Sequence, residues 1–351
     1  MDPDGASGAG ERRCGILDAT RSSSNISSDM RLTTVTRTQG NNEALKLGRV
    51  TPRTCELAFT EVPVLIDAFR RMVRGLEFDV CELAATTYIC ARAHGKRFTA
   101  LPIFLGRAFH HGAIFYNPSS GIRHPKDLEG TRVGINRGYT VTTCVWARAV
   151  LQDEFGVDLS RITWVLSGDE HVAEYVPPAN VVSLGPGRTL AGALVAHELS
   201  ALISLPTELP ALISLEQLDD AAIQPLIPNA RERGLDALRR RGHYPINHLI
   251  VVKDELLEAH PALAADLFDA FVRSKQDYLD RLQAGAVSKT TDVDRLHTLV
   301  GEIIGDPLPY GIRPNRQMLQ ELIDHAMTQG IISNRVTIEE LFAAGTHELI
   351  G

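Results

Sequence analysis

The sequence has no apolar run that approaches the roughly 18 residues of a membrane span. It also has no concentrated basic stripe. The net charge is −7, and the triplet Arg239-Arg240-Arg241 is typical of a solvated helix end. These two absences argue against a membrane and against nucleic acid as partners.

Cysteine is scarce as well. Five scattered cysteines, an odd number, do not favour a disulfide framework and are typical of a reducing compartment. The first thirty residues are rich in Gly, Ser, Asp and Arg, and they lack the apolar core of a signal peptide. We therefore predict a disordered tail over residues 1–30 and a cytoplasmic location.

The rest of the composition is that of an ordinary soluble protein. The 351 residues are 44% hydrophobic and 23% charged, enough for two or three structural units. Strands and helices alternate, which indicates an α/β fold with mainly parallel sheets. Predicted strands cover 31–36, 54–60, 78–81, 101–104, 113–116, 132–135, 161–166, 180–183, 201–205 and 249–252. Predicted helices cover 61–75 with Thr60 as cap, 84–94, 140–155, 189–197, a long segment from Pro261 and 314–328.

Two of the predicted strands, 113–116 and 249–252, flank the middle of the chain. A chain that leaves one α/β lobe and later returns to it forms a two-lobed clamp with two crossover strands. We predict lobe 1 over 31–112 and 250–351, and lobe 2 over 113–249. Ligands of such folds lie in the cleft, at the carboxyl ends of strands and the N-termini of helices.

Several polar side chains follow predicted strands or open the helix at 140, as they would around a small anion. The first group is Arg107, His110 and His111, and the second is Arg137, Tyr139, Thr140 and Thr142. Free N–H groups and the helix dipole favour a carboxylate at the second group. Simple N-capping is the alternative there, and a histidine bonded to the backbone at a hinge is the alternative for His111.

Six segments of the chain resemble the 4,5-dihydroxyphthalate decarboxylase family. They are 77–83, 109–116, 121–130, 145–157, 244–248 and Tyr310-Gly311 with Asn315-Arg316, and they keep their order over residues 31 to 345. The resemblance implies a fold similar to type II periplasmic solute-binding proteins. It also implies a lyase of aromatic compound catabolism that removes carbon dioxide from a hydroxylated aromatic acid without a cofactor.

The chemistry implied by the resemblance requires protonation of the ring carbon before the carboxylate leaves, because a ring carbanion has no π stabilisation. A base takes the proton of a para hydroxyl, and an acid supplies the ring proton. His111 and His248 are the acid/base candidates, with the two imidazoles expected to face one another across the cleft. Glu82, at a strand end, is the phenol base, the partner of a histidine or simply a helix cap.

The sequence departs from the family pattern at two places. Gly40-Asn41-Asn42 stands where the family usually has Asp-Arg-Thr, and His110-His111 stands where it usually has Arg-His. Both changes remove an arginine, the best bidentate partner of a carboxylate. We therefore expect a substrate with one carboxylate, or with more hydroxyl or amide groups, bound by residues that include Asn41, Asn42 and Asn247.

Two alternatives to a decarboxylase stay open. One is a module that binds an organic anion without chemistry, and the other is a family-fold enzyme with a different lyase or hydrolase reaction. No metal is expected, because the spacing of Cys81, Cys90 and His94 fits no standard zinc pattern. A homo-oligomer is an open alternative to a monomer.

Overall fold

A computed structural model describes residues 30–206, 208 and 223–351. The predicted tail, apart from Met30, and residues 207 and 209–222 lie outside the described residues. The strands are β1 (Arg31–Val35), β2 (Glu56–Phe59), β3 (Val80–Ala84), β4 (Phe98–Arg107), β5 (Ile114–Tyr116), β6 (Arg132–Ile135), β7 (Thr163–Leu166), β8 (Val181–Ser183), β9 (Ala201–Ile203), β10 (Gln224–Pro225) and β11 (Ile246–Lys253).

The α-helices of the described part alternate with these strands, as the sequence pattern predicts. They are α1 (Gly40–Lys46), α2 (Leu65–Gly75), α3 (Ala85–Ala93), α4 (Thr142–Phe155), α5 (Leu190–Val195), α6 (Ala230–Arg241), α7 (Asp254–Ala259), α8 (Leu263–Gln283), α9 (Asp292–Ile304), α10 (Arg316–Thr328) and α11 (Ile338–Leu341). Within the described ranges, none of them is both long and apolar enough to cross a bilayer.

The strands form two mixed sheets. Sheet 1 has the order β2-β1-β3-β11-β4, and sheet 2 has the order β10-β5-β9-β6-β7-β8. In sheet 1, β11 runs antiparallel to both β3 and β4, and in sheet 2, β5 runs antiparallel to both β9 and β10. The two antiparallel strands are the predicted crossovers. The α/β clamp expected from the sequence is therefore confirmed, although β11 begins at Ile246 and is longer than the predicted strand.

Helix α4 lies in the core of the protein. All ten residues from Thr142 to Leu151 in α4 are buried, as the apolar positions around that helix predict. Trp146 at its centre donates its indole N–H to the carbonyl of Ile246 at 2.9 Å. This bond fixes the second-lobe helix against the start of β11.

Two local predictions were wrong. The segment Gln39-Gly40-Asn41-Asn42 has the composition of a turn or loop and is predicted as one, but it begins α1, because the backbone N–H of Gln39 bonds Asn42 Oδ1 at 2.8 Å in a capping box. Gly40 is required there, since a Cβ would lie 2.2 Å from the ring of Tyr278. Thr60 does not cap α2, because its N–H continues the sheet by bonding the carbonyl of Thr34 at 2.9 Å.

Candidate active site

The site is a cleft between the two sheets, at the carboxyl ends of their parallel strands. A small cavity of about 30 Å³ opens there. Lobe 1 and the crossover strand β11 contribute one wall, and the loop and helix after β6 contribute the other. Its polar lining consists of Arg37, Arg137, Thr142, Thr143, His171, Glu208, Asn247 and His248.

The best-defined chemical group of the cleft is a carboxylate–imidazole pair. Nδ1 of His248 lies 2.7 Å from Glu82 Oε1, and the Glu82 side chain is buried. A carboxylate only accepts hydrogen bonds, so Nδ1 carries the proton and Nε2 is left for the cleft. In the register of β11 and β3, His248 lies opposite Ala84 and Ile250 opposite Glu82. His248 and Glu82 are therefore diagonal neighbours on one face of the sheet.

Glu82 is held by more than this histidine. Its Oε2 accepts the backbone N–H of Arg37 at 2.8 Å, and its Oε1 accepts the amide of Gln39 at 3.5 Å. With its oxygens bonded inside the protein, the carboxylate orients His248 rather than reaching the ligand. Three roles were predicted for Glu82, and the geometry favours the one in which it is the hydrogen-bond partner of a histidine.

A second imidazole in the cleft belongs to His171, which the sequence analysis missed. The ring of Phe69 packs edge-on against both imidazoles, at centroid distances of 5.2 Å to His248 and 6.3 Å to His171. Burial lowers the pKa of His171 to about 4, and Arg70 acts in the same direction, so this ring is neutral at neutral pH. The available signal was its position shortly after β7, at the sheet edge where ligands bind.

His171 should make the stability of the protein depend on pH. Its folded pKa of about 4 lies below the ordinary value of 6.5, so the unfolded chain binds the extra proton between these values. The contribution of His171 to the free energy of unfolding is fully present above pH 6.5, and it is lost as the pH falls toward 4. We expect about 2 kcal/mol of loss from this residue between pH 7 and 5. Urea unfolding of wild type and His171→Gln checks it; equal losses in both proteins would contradict it.

The predicted anion site at Tyr139 and Thr140 is filled by the protein itself. The Glu170 carboxylate accepts the backbone N–H groups of both residues and, at 2.7 Å, the Thr140 hydroxyl. Gly138 allows this approach, because a Cβ there would lie 2.6 Å from Glu170 Oε2. The structure corrects the prediction: these groups do bind a carboxylate, but an internal one.

Helix α4 begins at Thr142, shortly after this site, and its N-terminus faces the cleft. Thr142 and Thr143 line the cavity as the first two residues of a 14-residue helix. The Thr142 hydroxyl is fixed by Thr86, whose N–H donates to it at 3.0 Å. The first N–H groups of a helix favour a ligand carboxylate. Thr142 therefore keeps its predicted place beside the ligand, and Thr143 joins it.

The two arginines of the cleft differ in their pairing. Arg137 has a backbone φ of 75°, held by a bond from its N–H to Ser167 Oγ, and its guanidinium pairs with Glu208 at 3.0 Å. Arg37 is exposed, and among the described residues its side chain has no ion-pair partner. Arg37 is the cation of the cleft that is available to a ligand.

Three predicted binding residues lie outside the cleft. The Asn41 amide bonds the Leu105 carbonyl and the Tyr310 hydroxyl, both at 3.1 Å. The Asn42 amide bonds the Arg37 carbonyl at 2.8 Å. Arg107 is tied to the carbonyls of residues 244 and 309, and burial lowers its pKa to about 10. All three are occupied in holding the chain around the cleft, so we correct their predicted role.

The structure also does not bring His111 into the cleft. His110 and His111 line a separate small cavity of about 10 Å³. Nε2 of His111 lies 3.0 Å from Glu154 in α4. The expectation that His111 faces His248 across the ligand is therefore corrected, because the short 3-10 turn at 111–113 directs it behind the cleft. Asn247 does line the cleft, as predicted.

Comparison with curated proteins identifies relatives of this chain. It is 29% identical over 290 residues to a 4,5-dihydroxyphthalate decarboxylase of Comamonas testosteroni, covering 79% of this chain and 85% of the relative. It is 34% identical over 145 residues to the enzyme of that name from Pseudomonas putida, covering 39% and 56%. The chain is therefore similar to 4,5-dihydroxyphthalate decarboxylases over most of its length. No protein-family profile matches it.

A solved structure supports the fold of this chain. The alkanesulfonate-binding protein SsuA from Xanthomonas axonopodis pv. citri aligns with a TM-score of 0.51 at 14% identity, over 90% of this chain and 97% of that chain. At such low identity the likeness concerns the fold alone. The predicted periplasmic-binding-protein-like clamp is thereby confirmed as the fold.

Proposed function

We propose that the protein is a carboxy-lyase that removes carbon dioxide from a hydroxylated aromatic acid, with no redox or electron-sink cofactor. Similarity to the 4,5-dihydroxyphthalate decarboxylases supports the reaction class. The observation that carries the proposal is the Glu82–His248 pair, which presents an imidazole Nε2 to the cleft beside the neutral imidazole of His171. A protein that only binds an anion requires hydrogen-bond donors in the cleft. It does not require a carboxylate that is hydrogen-bonded to one of those donors, as Glu82 is to His248.

The two imidazoles suit the two proton transfers. His171, being neutral, accepts the proton of a para hydroxyl, and the electrons move through the ring to the carbon that bears the carboxylate. His248 delivers its Nε2 proton to that carbon, while Glu82 stabilises the charged imidazole before the transfer. The C–C bond then breaks, carbon dioxide leaves, and its bonding electrons restore the aromatic ring as a phenolate, which takes its proton back from His171. One proton is consumed in each turnover.

The charges of the cleft favour a substrate with a single carboxylate. Arg137 is already paired with Glu208, so Arg37 and the N-terminus of α4 are the groups left for an anion. A second carboxylate would have to displace Glu208 or lie close to it. We therefore infer a preference for hydroxybenzoates over hydroxyphthalates.

A panel of acids tests the reaction and its preference together. Release of carbon dioxide is measured with 4-hydroxybenzoate, 3,4-dihydroxybenzoate and 4,5-dihydroxyphthalate. Turnover of any of them supports a decarboxylase, and faster turnover of the monoacids supports the charge argument. Tight binding of all three without release would favour the anion-binding module instead.

Glu208→Gln should shift the preference toward diacids. The substitution keeps the size of the side chain but frees the charge of Arg137, which can then bind a second carboxylate. We expect kcat/KM for 4,5-dihydroxyphthalate to rise about tenfold relative to that for 3,4-dihydroxybenzoate. Glu198→Gln is the matched control, because Glu198 pairs with Arg188 and does not line the cleft. An unchanged ratio would refute the role of Glu208.

A further inference from the structure

A second cavity lies directly behind the cleft. We call it the hinge cavity; it is lined by His110, His111, Trp146, Glu154, Arg241 and His243, among others. His110 and His111 precede the crossover strand β5, and His243 precedes the crossover strand β11. The hinge cavity therefore lies where the chain passes between the lobes.

The wall between the two cavities contains buried polar atoms without protein partners. Within the described residues, neither ring nitrogen of His110 has a hydrogen-bond partner, and the same is true of His111 Nδ1 and Asn247 Oδ1. Buried polar groups of this kind are normally bridged by water. Since His110 lines the hinge cavity and Asn247 lines the cleft, these atoms form a polar passage through the wall.

His110 is suited to pass protons without holding them. Burial lowers its pKa to about 3, charges on His111 and His243 act in the same direction, and the Asn247 amide beside it acts weakly in the opposite one. A charge on His248 acts in the same direction, and His248 follows Asn247 directly in β11. A neutral imidazole accepts a proton on one nitrogen and releases one from the other.

The outer end of the passage reaches solvent. His111 donates its Nε2 proton to Glu154 at 3.0 Å, and the Glu154 side chain is 18% exposed. The bond from His111 lowers the pKa of Glu154, and Arg241 at 3.2 Å adds to this, so the carboxylate stays charged near neutral pH. On the other side, His243 pairs with Glu321 at 2.9 Å. The hinge cavity thus offers a series of proton-exchanging groups from the surface to the wall.

We propose that the hinge cavity is the route by which His248 regains its proton after each turnover, with His110 as the relay residue. This inference rests on the proposed function, because decarboxylation consumes one proton and a ligand in the cleft separates Nε2 of His248 from bulk solvent. In the step, a solvent proton passes from the Glu154–His111 pair through water to one nitrogen of His110. The other nitrogen releases its proton toward Nε2 of His248, since Nδ1 keeps its proton in the bond to Glu82.

The test separates proton resupply from chemistry. In His110→Gln, the first turnover uses the proton already on His248, so rapid mixing should show a burst of carbon dioxide of up to one equivalent. The steady-state rate should then fall about 10- to 100-fold with KM little changed. Imidazole added to the buffer should restore much of this rate, whereas wild type should not respond to it.

His325→Gln is the matched control. His325 also packs against Trp146, but it pairs with Asp153 and does not line the hinge cavity. This variant should show wild-type turnover and no response to imidazole. The relay is refuted if His110→Gln keeps full steady-state turnover, or if the burst and the steady state fall together without rescue, since the latter indicates a structural role.

A second measurement does not depend on turnover. With benzoate bound as an unreactive ligand, NMR follows exchange of the His248 ring proton with solvent. His110→Gln should slow this exchange at least about tenfold, and an unchanged rate would refute the relay. If wild type releases no carbon dioxide from any acid, the proposed function fails, yet this exchange rate still decides whether the passage exists.

Discussion

His248→Gln is expected to lower kcat about 10³-fold with little change in KM. Glutamine keeps a polar group near Glu82 but cannot supply a proton to a ring carbon, so the loss falls on the chemical step. The Glu82 carboxylate would remain buried with its bonds from Arg37 and Gln39, which limits the damage to the fold. The measurement is steady-state release of carbon dioxide with the best acid of the panel.

The control for this variant is His260→Gln, since His260 is exposed and lies outside the cleft. Binding of the acid, followed by titration calorimetry, should remain within a few-fold of wild type in His248→Gln. If this variant kept full turnover, the assignment of the ring proton to His248 would be wrong. If it lost binding and turnover equally, His248 would instead be a substrate-binding residue.

Glu170→Ala is expected to destabilise the protein by about 3 kcal/mol. The variant removes a carboxylate that accepts the N–H groups of Tyr139 and Thr140 and the Thr140 hydroxyl. These donors then face a small space shaped for a carboxylate. Acetate or formate should fill it, so urea unfolding should show a stability that recovers partly with either anion.

Glu174→Ala is a suitable control because Glu174 forms an exposed ion pair with Lys96. Such a pair contributes little, and the variant should lie within about 0.5 kcal/mol of wild type without any response to acetate. Equal sensitivity of the two variants to acetate would mean that the anion acts on the whole surface. The loop before α4 would then not be a specific carboxylate site.

The fold was predictable because its signals are local and repeated. Alternation of strands and helices, together with the crossover strands near 113 and 249, was enough for the clamp. The pairing of Glu82 with a histidine was one of three roles that the sequence left open. The residues of the cleft were harder to predict. Whether His111 or His248 faces the ligand depends on a short 3-10 turn in one case and on strand register in the other, and neither is visible in the residue types.

The anion site shows a different limit of sequence reasoning. The sequence from Arg137 to Thr142 correctly predicted the place where backbone N–H groups converge. Glu170, which fills part of the site, comes from a loop 30 residues later. His171 and Glu208 likewise reach the cleft from later loops. Only tertiary structure decides whether an anion site is completed by the protein or left for a ligand.

The position of β11 has a consequence for how the chain reaches its native state. This strand, at 246–253, lies between β3 and β4, which are made more than a hundred residues earlier. During synthesis on the ribosome, β3 and β4 cannot pair with β11 until the whole intervening lobe has been synthesised. The intervening lobe is formed by a continuous segment and can fold first. The other lobe is formed by two separate segments and folds later, because its contacts join residues distant in sequence and such contacts form slowly.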